Sequence, residues 1–131
     1  MDTKQADAHR KSLGKQGETI ACDYLKNLGF SIIERNVHIH HKELDIIARD
    51  GEWLVIIEVK TRQEGSMLSG AWALTKQKIG NVTRAGYEYA ATNYGECRVR
   101  FDSVVCEQRV DGSFSITHEK NAFYAPLKRI Y

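Results

Sequence analysis

The stretch from Glu43 to Lys60 constrains the fold more than any other, because two short apolar runs, ELDIIAR and WLVIIEVK, flank Asp50-Gly51. An Asp-Gly pair between extended runs signals a tight turn, so the two runs are expected to form a hairpin. In the second run Leu54, Ile56, Glu58 and Lys60 alternate with Val55, Ile57 and Val59. Successive side chains of a strand point to opposite faces, and here both faces are apolar. Such a strand belongs in the middle of a sheet with helices covering both sides.

The rest of the chain supplies those helices and further strands. A helix is expected from about Lys15 to Leu28, with Ala21, Leu25 and Leu28 on one face and Gly29 as its left-handed cap. Glu18 extends that series backward and sets a carboxylate at the edge of the buried stripe; an ordinary helix-start acid explains it equally well. Phe30 to Ile39 reads as a strand, followed by a polar turn at His40, His41 and Lys42. Residues 63–70 read as a loop. A second helix runs from about Ala71 or Thr75 to Ala91, with Ile79, Val82, Gly86 and Tyr89 as its stripe and Lys78 at the margin. Two strands follow, CRVRFDSVVCE and FSITHE, joined through Val110-Asp111-Gly112, and the tail NAFYAPLKRIY carries a short apolar patch before Pro126. The expected fold is α/β, a central mixed sheet flanked by helices. At 131 residues the chain suits one domain, expected over residues 13–131 behind a frayed segment at 1–12.

Composition narrows the class. With 42% hydrophobic residues, 27% charged and one proline, the chain is neither disordered nor low-complexity. Cys22, Cys97 and Cys106 are odd in number and contain no Cys-x-x-Cys pair, so free thiols in a reducing cytoplasm are expected. The opening MDTKQADAHRKSLGKQ lacks an apolar core, and the longest apolar run, WLVII, falls far below the roughly 20 residues of a membrane span. Neither secretion nor membrane insertion is expected. A net charge of +2 identifies no partner by itself, but Lys60, Arg62, Lys76, Lys78 and Arg84 face the single acid Glu64 between residues 60 and 84. That local field suits phosphate.

The chemistry centres on Glu43-x-Asp45 and Glu58-x-Lys60. Alternation puts each pair on one side of its strand, and a hairpin that joins those sides gathers three carboxylates and an ammonium. Charged groups at the end of an apolar strand are costly unless paired, solvated or coordinated to metal. Asp45 and Glu58 offer the hard oxygen ligands that Mg²⁺ requires, and Lys60 can stabilise charge on a phosphate or orient water. The reaction such a group suits is phosphodiester hydrolysis.

The order GKQGETIACDYLKNLGFSIIERN, ELDIIARDGEWLVIIEVKTR, KQKI and VRFDSVV resembles the YraN-like, or UPF0102, family over about Gly14 through Ala125. That family is similar to PD-(D/E)xK nucleases and archaeal Holliday-junction resolvases, which implies a restriction-endonuclease-like core. The resemblance places the catalytic roles on Glu18, Glu43, Asp45, Glu58 and Lys60, with Glu18, Asp45 and Glu58 as ligands of Mg²⁺ or Mn²⁺. It further implies phosphate contacts from Gln77 or Lys78, a nucleic-acid partner, DNA in particular, and a homodimer with paired sites. Lys42 stands where the family's Gly-Glu-x-Asp segment has glycine, a departure that alters the backbone before Glu43 or narrows the site.

Other readings compete. His38, His40 and His41 suggest a transition metal, but alternation sends His41 away from the other two, and no cysteine completes a zinc spacing. Trp53, Trp72, Tyr87, Tyr89 and Tyr94 are expected to pack rather than stack on bases, and the cysteines likewise. Gly14 and Gly17 lack the lysine of a phosphate loop. The alternatives to a nuclease are a non-catalytic nucleic-acid-binding protein and a small assembly module, separated from it by metal binding through Asp45 and Glu58.

Overall fold

The central strand stands where its two apolar faces require. The computed structural model describes residues 2–65 and 76–123. Their elements are α1 (Thr3–Asn27), β1 (Ser31–Ile39), β2 (Lys42–Asp50), β3 (Trp53–Gln63), α2 (Lys76–Tyr94), β4 (Arg98–Gln108) and β5 (Phe114–Glu119). The five strands form one mixed sheet in the order β1-β2-β3-β4-β5. Neighbours run antiparallel except β3 and β4, which are parallel and joined by α2. This is the α/β arrangement expected of a restriction-endonuclease-like core.

The alternation along β3 divides the core in two. Val55, Ile57 and Val59 pack under Ala21, Cys22 and Leu25 of α1. Leu54 and Ile56 pack with Phe101 under Val82, Ala85 and Tyr89 of α2. Gly86 makes the second contact close, since a Cβ there would fall 2.6 Å from the Phe101 ring. The Asp50-Gly51 hairpin is present, with Asp50 opposite Trp53 and Gly51 at φ 58.

Several expectations shift. The first helix begins at Thr3 rather than near Lys15. Asp2 and Gln5 form a reciprocal cap, Gln5 N–H donating to Asp2 Oδ1 at 2.8 Å and Asp2 N–H to Gln5 Oε1 at 3.2 Å. The early turns face solvent and so carry no apolar stripe. The buried row is Leu13, Gly17, Ala21 and Leu25 at four-residue spacing, while Leu28 is the cap residue and is exposed. The first strand opens at Ser31, one residue after Phe30, and Lys42 opens β2, leaving His40-His41 as the turn. The second helix continues past Ala91 to Tyr94. Its expected start at Ala71 or Thr75, most of the 63–70 loop and most of the tail lie outside the described residues. Cys97 precedes β4 rather than lying in it, and all three cysteines are free. No helix among the described residues is long and apolar enough to cross a membrane.

Candidate active site

The acids gather at a fork in the sheet. Pairing of β2 with β3 runs from Asp50–Trp53 to Ile46–Ile57 and stops there, while β3 continues beside β4 to Gln63–Gln108. Beyond the last pair, the Val59 N–H donates to Asp45 Oδ2 at 2.8 Å, so a carboxylate takes over from a backbone ladder bond. The alternation of β2 breaks at the same residue, since Leu44 belongs to the core under α2 and Ile46 to the core under α1. The third side of the fork is α1. Gly17 lies against Thr61 of β3, and this close approach brings the next residue, Glu18, down to the acids.

Carboxylate oxygens of Glu18, Glu43 and Asp45 all lie within 4.8 Å of one another. The Asn36 amide, oriented to satisfy both partners, donates to Glu43 Oε1 and to Glu18 Oε1, each at 2.9 Å. Asn36 adopts φ 55, a left-handed conformation that asparagine tolerates better than most residues. Arg35 Nη2 stands 3.7 Å from Glu18 Oε1, and His38 Nε2 stands 3.5 Å from Glu43 Oε2.

Glu58 approaches from β3 and is buried. Among the described residues its nearest cation is the Lys42 ammonium, 3.7 Å from Oε1, and that oxygen has no hydrogen-bond partner there. Burial, then the Asp45 charge, push the Glu58 carboxyl up to about 7 against the pull of Lys42 and Lys60. Burial also raises Asp45, opposed by the Val59 N–H and by Lys60 and Lys42. Glu18 rises by burial and by the Asp45 charge. The acids together hold more negative charge than the local lysines offset. Hard oxygen donors, mutual repulsion and a buried oxygen without a partner fit a hard divalent cation.

The structure thus unites Glu18, Glu43 and Asp45, with Glu58 beside Asp45 but drawn to Lys42. Lys60 and Glu18 line one cleft between α1 and β3, which continues to His9, Arg10 and Gln63. The expected phosphate contacts are spread more widely. Arg62 is ion-paired to Glu107 at 2.8 Å. Gln77, Lys78 and Arg84 are exposed on α2, and the Lys76 side chain lies outside the described residues. Arg84 borders a cleft with His40, His41 and Lys42. A groove of about 850 Å³ between α1 and β4–β5 is lined by Lys11, Lys15 and Phe114. No carboxylate is among its described lining residues.

The histidines do not converge, because His40 leaves the strand at φ 55 and meets Glu88 at 3.1 Å. The aromatics divide between the surface and the core. Trp53 and Tyr94 are partly exposed, with Arg98 and Arg49 over their rings. Tyr89 is buried and donates to Glu34 Oε2 at 2.5 Å. Trp72 lies outside the described residues.

Sequence reasoning missed Asn36, whose only signal is its tolerance of left-handed backbone. It also missed a buried polar group beside the α1-side core. Arg100 Nε and Nη2 donate to the two oxygens of Asp102 at 2.8 and 2.9 Å. His118 Nε2 lies 2.9 Å from Asp102 Oδ2, and the Asn121 N–H donates to Oδ1 at 3.0 Å. Tyr24 Oη meets His118 Nδ1 at 3.2 Å, tying α1 to β5.

Comparison with known proteins agrees with the motifs. A UPF0102 protein of Chlorobium chlorochromatii (strain CaD3) is 40% identical over 118 residues, covering 86% of this chain and 91% of that one. A UPF0102 protein of Parabacteroides distasonis is 38% identical over 121 residues, 92% of this chain and 99% of its own length. One from Geotalea uraniireducens (strain Rf4) is 39% identical over 117 residues, 88% and 92% of the two chains. Residues 17–106, which include Glu18 and every acid of the fork, match Uncharacterised protein family UPF0102, and the chain belongs to that family.

Proposed function

We propose that the protein is a metal-dependent nuclease that hydrolyses phosphodiester bonds of DNA, at branched or junction structures. The observation that carries this reading is the fork itself, where β2 and β3 part and Glu18, Glu43 and Asp45 converge next to Glu58. Glu18, Asp45 and Glu58, with Glu43, would hold Mg²⁺ or Mn²⁺. When bound, the ion would supply Lewis acidity and lower the pKa of water at the reacting phosphate.

The chain's own residues do the rest. The Val59 N–H fixes one Asp45 oxygen, and the Asn36 amide fixes Glu18 relative to Glu43. Such pre-orientation means the acids need no rearrangement as charge develops. Lys60, at the mouth of the α1–β3 cleft, offers its ammonium to the phosphate or to the attacking water. The exposed Lys78 and Arg84 on α2 support contact with backbone phosphates. A homodimer would present two such sites to paired strands, and the free cysteines favour the cytoplasm.

One observation favours the non-catalytic alternative: the Lys42 ammonium already stands beside Glu58, where an ion would also lie. Cleavage of labelled single strands, duplexes, flaps and four-way junctions with Mg²⁺ or Mn²⁺, by the wild type and by Asp45→Asn, decides between them. Metal-dependent cutting lost in the variant is the expected result. Binding of junctions without cutting, at any metal concentration, favours the alternative.

A further inference from the structure

Glu58 and Lys42 form an unequal pair. The Glu58 side chain is 6% exposed and the Lys42 side chain 34%, so one partner is locked in the protein and the other rides on a flexible stem at its edge. Their 3.7 Å separation is an ion pair too long for a hydrogen bond. Glu58 Oε1 accordingly has no hydrogen-bond partner among the described residues although it is buried. Asp45 is the acid that acts on Glu58, with Glu43 and Glu18 gathered around Asp45, and Lys60 is a second cation acting on Glu58, while Arg35 stands beside Glu18.

Lys42 has a second neighbourhood. It lines the cleft between the β1–β2 turn and α2, in company with His41 and Arg84, where Glu88 is the opposing acid. That acid is engaged by His40, with both of its oxygens 3.1 Å from Nε2. A single side chain therefore borders both the acid fork and a cleft bearing basic groups suited to an anionic backbone. Its four-carbon stem permits it to serve either.

We propose that Lys42 is a built-in counter-ion that competes with a divalent cation for Glu58. Without the ion, its ammonium neutralises the carboxylate. When the ion binds, Lys42 gives Glu58 up and turns toward the cleft of His41 and Arg84, where it meets a phosphate of the substrate. The acid site then takes its ion most readily when an anionic strand is present to receive the lysine. This inference rests on the nuclease reading for the identity of the ligands, but the competition itself is measurable without cleavage.

The test is Mn²⁺ binding, followed by electron paramagnetic resonance, to the whole chain. The proteins are the wild type, Lys42→Met, Lys42→Gln, Glu58→Gln, Asp45→Asn and the Lys42→Met/Glu58→Gln double variant, each confirmed folded by circular dichroism. Loss of the lysine charge should tighten Mn²⁺ binding about tenfold in both Lys42 variants. In the Glu58→Gln background the Lys42 change should fall to within about twofold, because the competitor has lost its contested ligand. Unchanged affinity in both Lys42 variants overturns the proposal, as does equal tightening with and without Glu58, which would mark a general charge effect. The nuclease reading fails separately if Asp45→Asn binds Mn²⁺ like the wild type. If no protein binds Mn²⁺, both fail.

Discussion

Gly17 lies so close to Thr61 that a Cβ on the glycine would fall 2.0 Å from the Thr61 hydroxyl oxygen and 2.9 Å from its methyl carbon. The contact joins α1 to β3 one residue before Glu18, so packing and acid placement are one feature. Gly17→Ala should destabilise the protein by about 1–3 kcal/mol through overpacking. It should also weaken Mn²⁺ binding by lifting Glu18 from the fork. Thr61→Ala in the same chain removes the offending hydroxyl and methyl and should recover part of both losses. Urea unfolding and Mn²⁺ titration of the single and double variants check this, and an undisturbed Gly17→Ala protein would contradict it.

The Asp102 group predicts a different kind of loss. Burial alone would raise this carboxyl, but the Arg100 guanidinium, the Asn121 N–H and His118 outweigh it and hold it below the usual range. Asp102→Asn should cost about 1–3 kcal/mol at neutral pH, because Arg100 loses its bidentate carboxylate while keeping Asp50, 3.0 Å from Nη2. A depressed carboxyl contributes stability above its unfolded pKa, about 4, and that contribution disappears as pH falls through the lower folded value. The wild type should therefore lose stability on acidification more steeply than Asp102→Asn. Urea midpoints measured from neutral pH down to about pH 3 test the difference in slope; parallel curves would show that Asp102 is not the group responsible.

What the sequence disclosed was mostly local. The two-residue period of β3 and the Asp50-Gly51 turn are properties of neighbouring residues, and they sufficed to place the central strand between two apolar layers; the break in the alternation of β2 at Asp45, with Leu44 in one core and Ile46 in the other, left no such trace. The run FSITHE, read as a strand, is β5 over the same residues. The first turns of α1 were hidden because they bury nothing, so their helicity depends on the Asp2–Gln5 cap instead of an apolar stripe. Leu28 fits the stripe by spacing, but the helix ends there and its side chain stays in solvent. Convergence between distant segments left no periodic trace. Asn36 reaches Glu18 across the α1–β1 connection, and Arg100, Asp102 and His118 resemble surface charges until β4, β5 and α1 close around them. Lys42 stood out only as a substitution for glycine, and its ion pair with Glu58 required the register of the sheet.

Asn36 allows backbone and side-chain contributions to be separated. Asn36→Ala should lower stability by about 1–2 kcal/mol, since it loses two hydrogen bonds to carboxylates and places a Cβ residue less suited to left-handed φ. Asn36→Gly keeps the φ of 55 without strain but still lacks the amide. Stability should therefore recover in the glycine variant, while the weakened Mn²⁺ binding remains. Recovery of both would mean that the backbone alone orders the acids and that the amide is incidental.

Glu58 should reverse the usual effect of pH on a carboxylate. Its carboxyl rises from an ordinary 4.5 to about 7 in the folded protein, chiefly by burial and then by the Asp45 charge. Between those values the folded chain holds a proton that the unfolded chain has released, so stability of the metal-free protein should fall as pH rises across the window. Glu58→Gln removes this dependence. At pH 8 with a chelator present, the variant should be more stable than the wild type by up to about 3 kcal/mol, the linkage value of a shift from 4.5 to about 7. Below about pH 4.5 the two should converge, because the wild-type carboxyl is then protonated in both states. Excess Mn²⁺ at pH 8 should invert the order, as the ion stabilises the folded state in which Glu58 is a ligand. Thermal or urea unfolding across this range, with chelator and with Mn²⁺, reads every part of the prediction. A Glu58→Gln protein less stable than the wild type in chelator would show that Lys42 and Lys60 already compensate the buried charge.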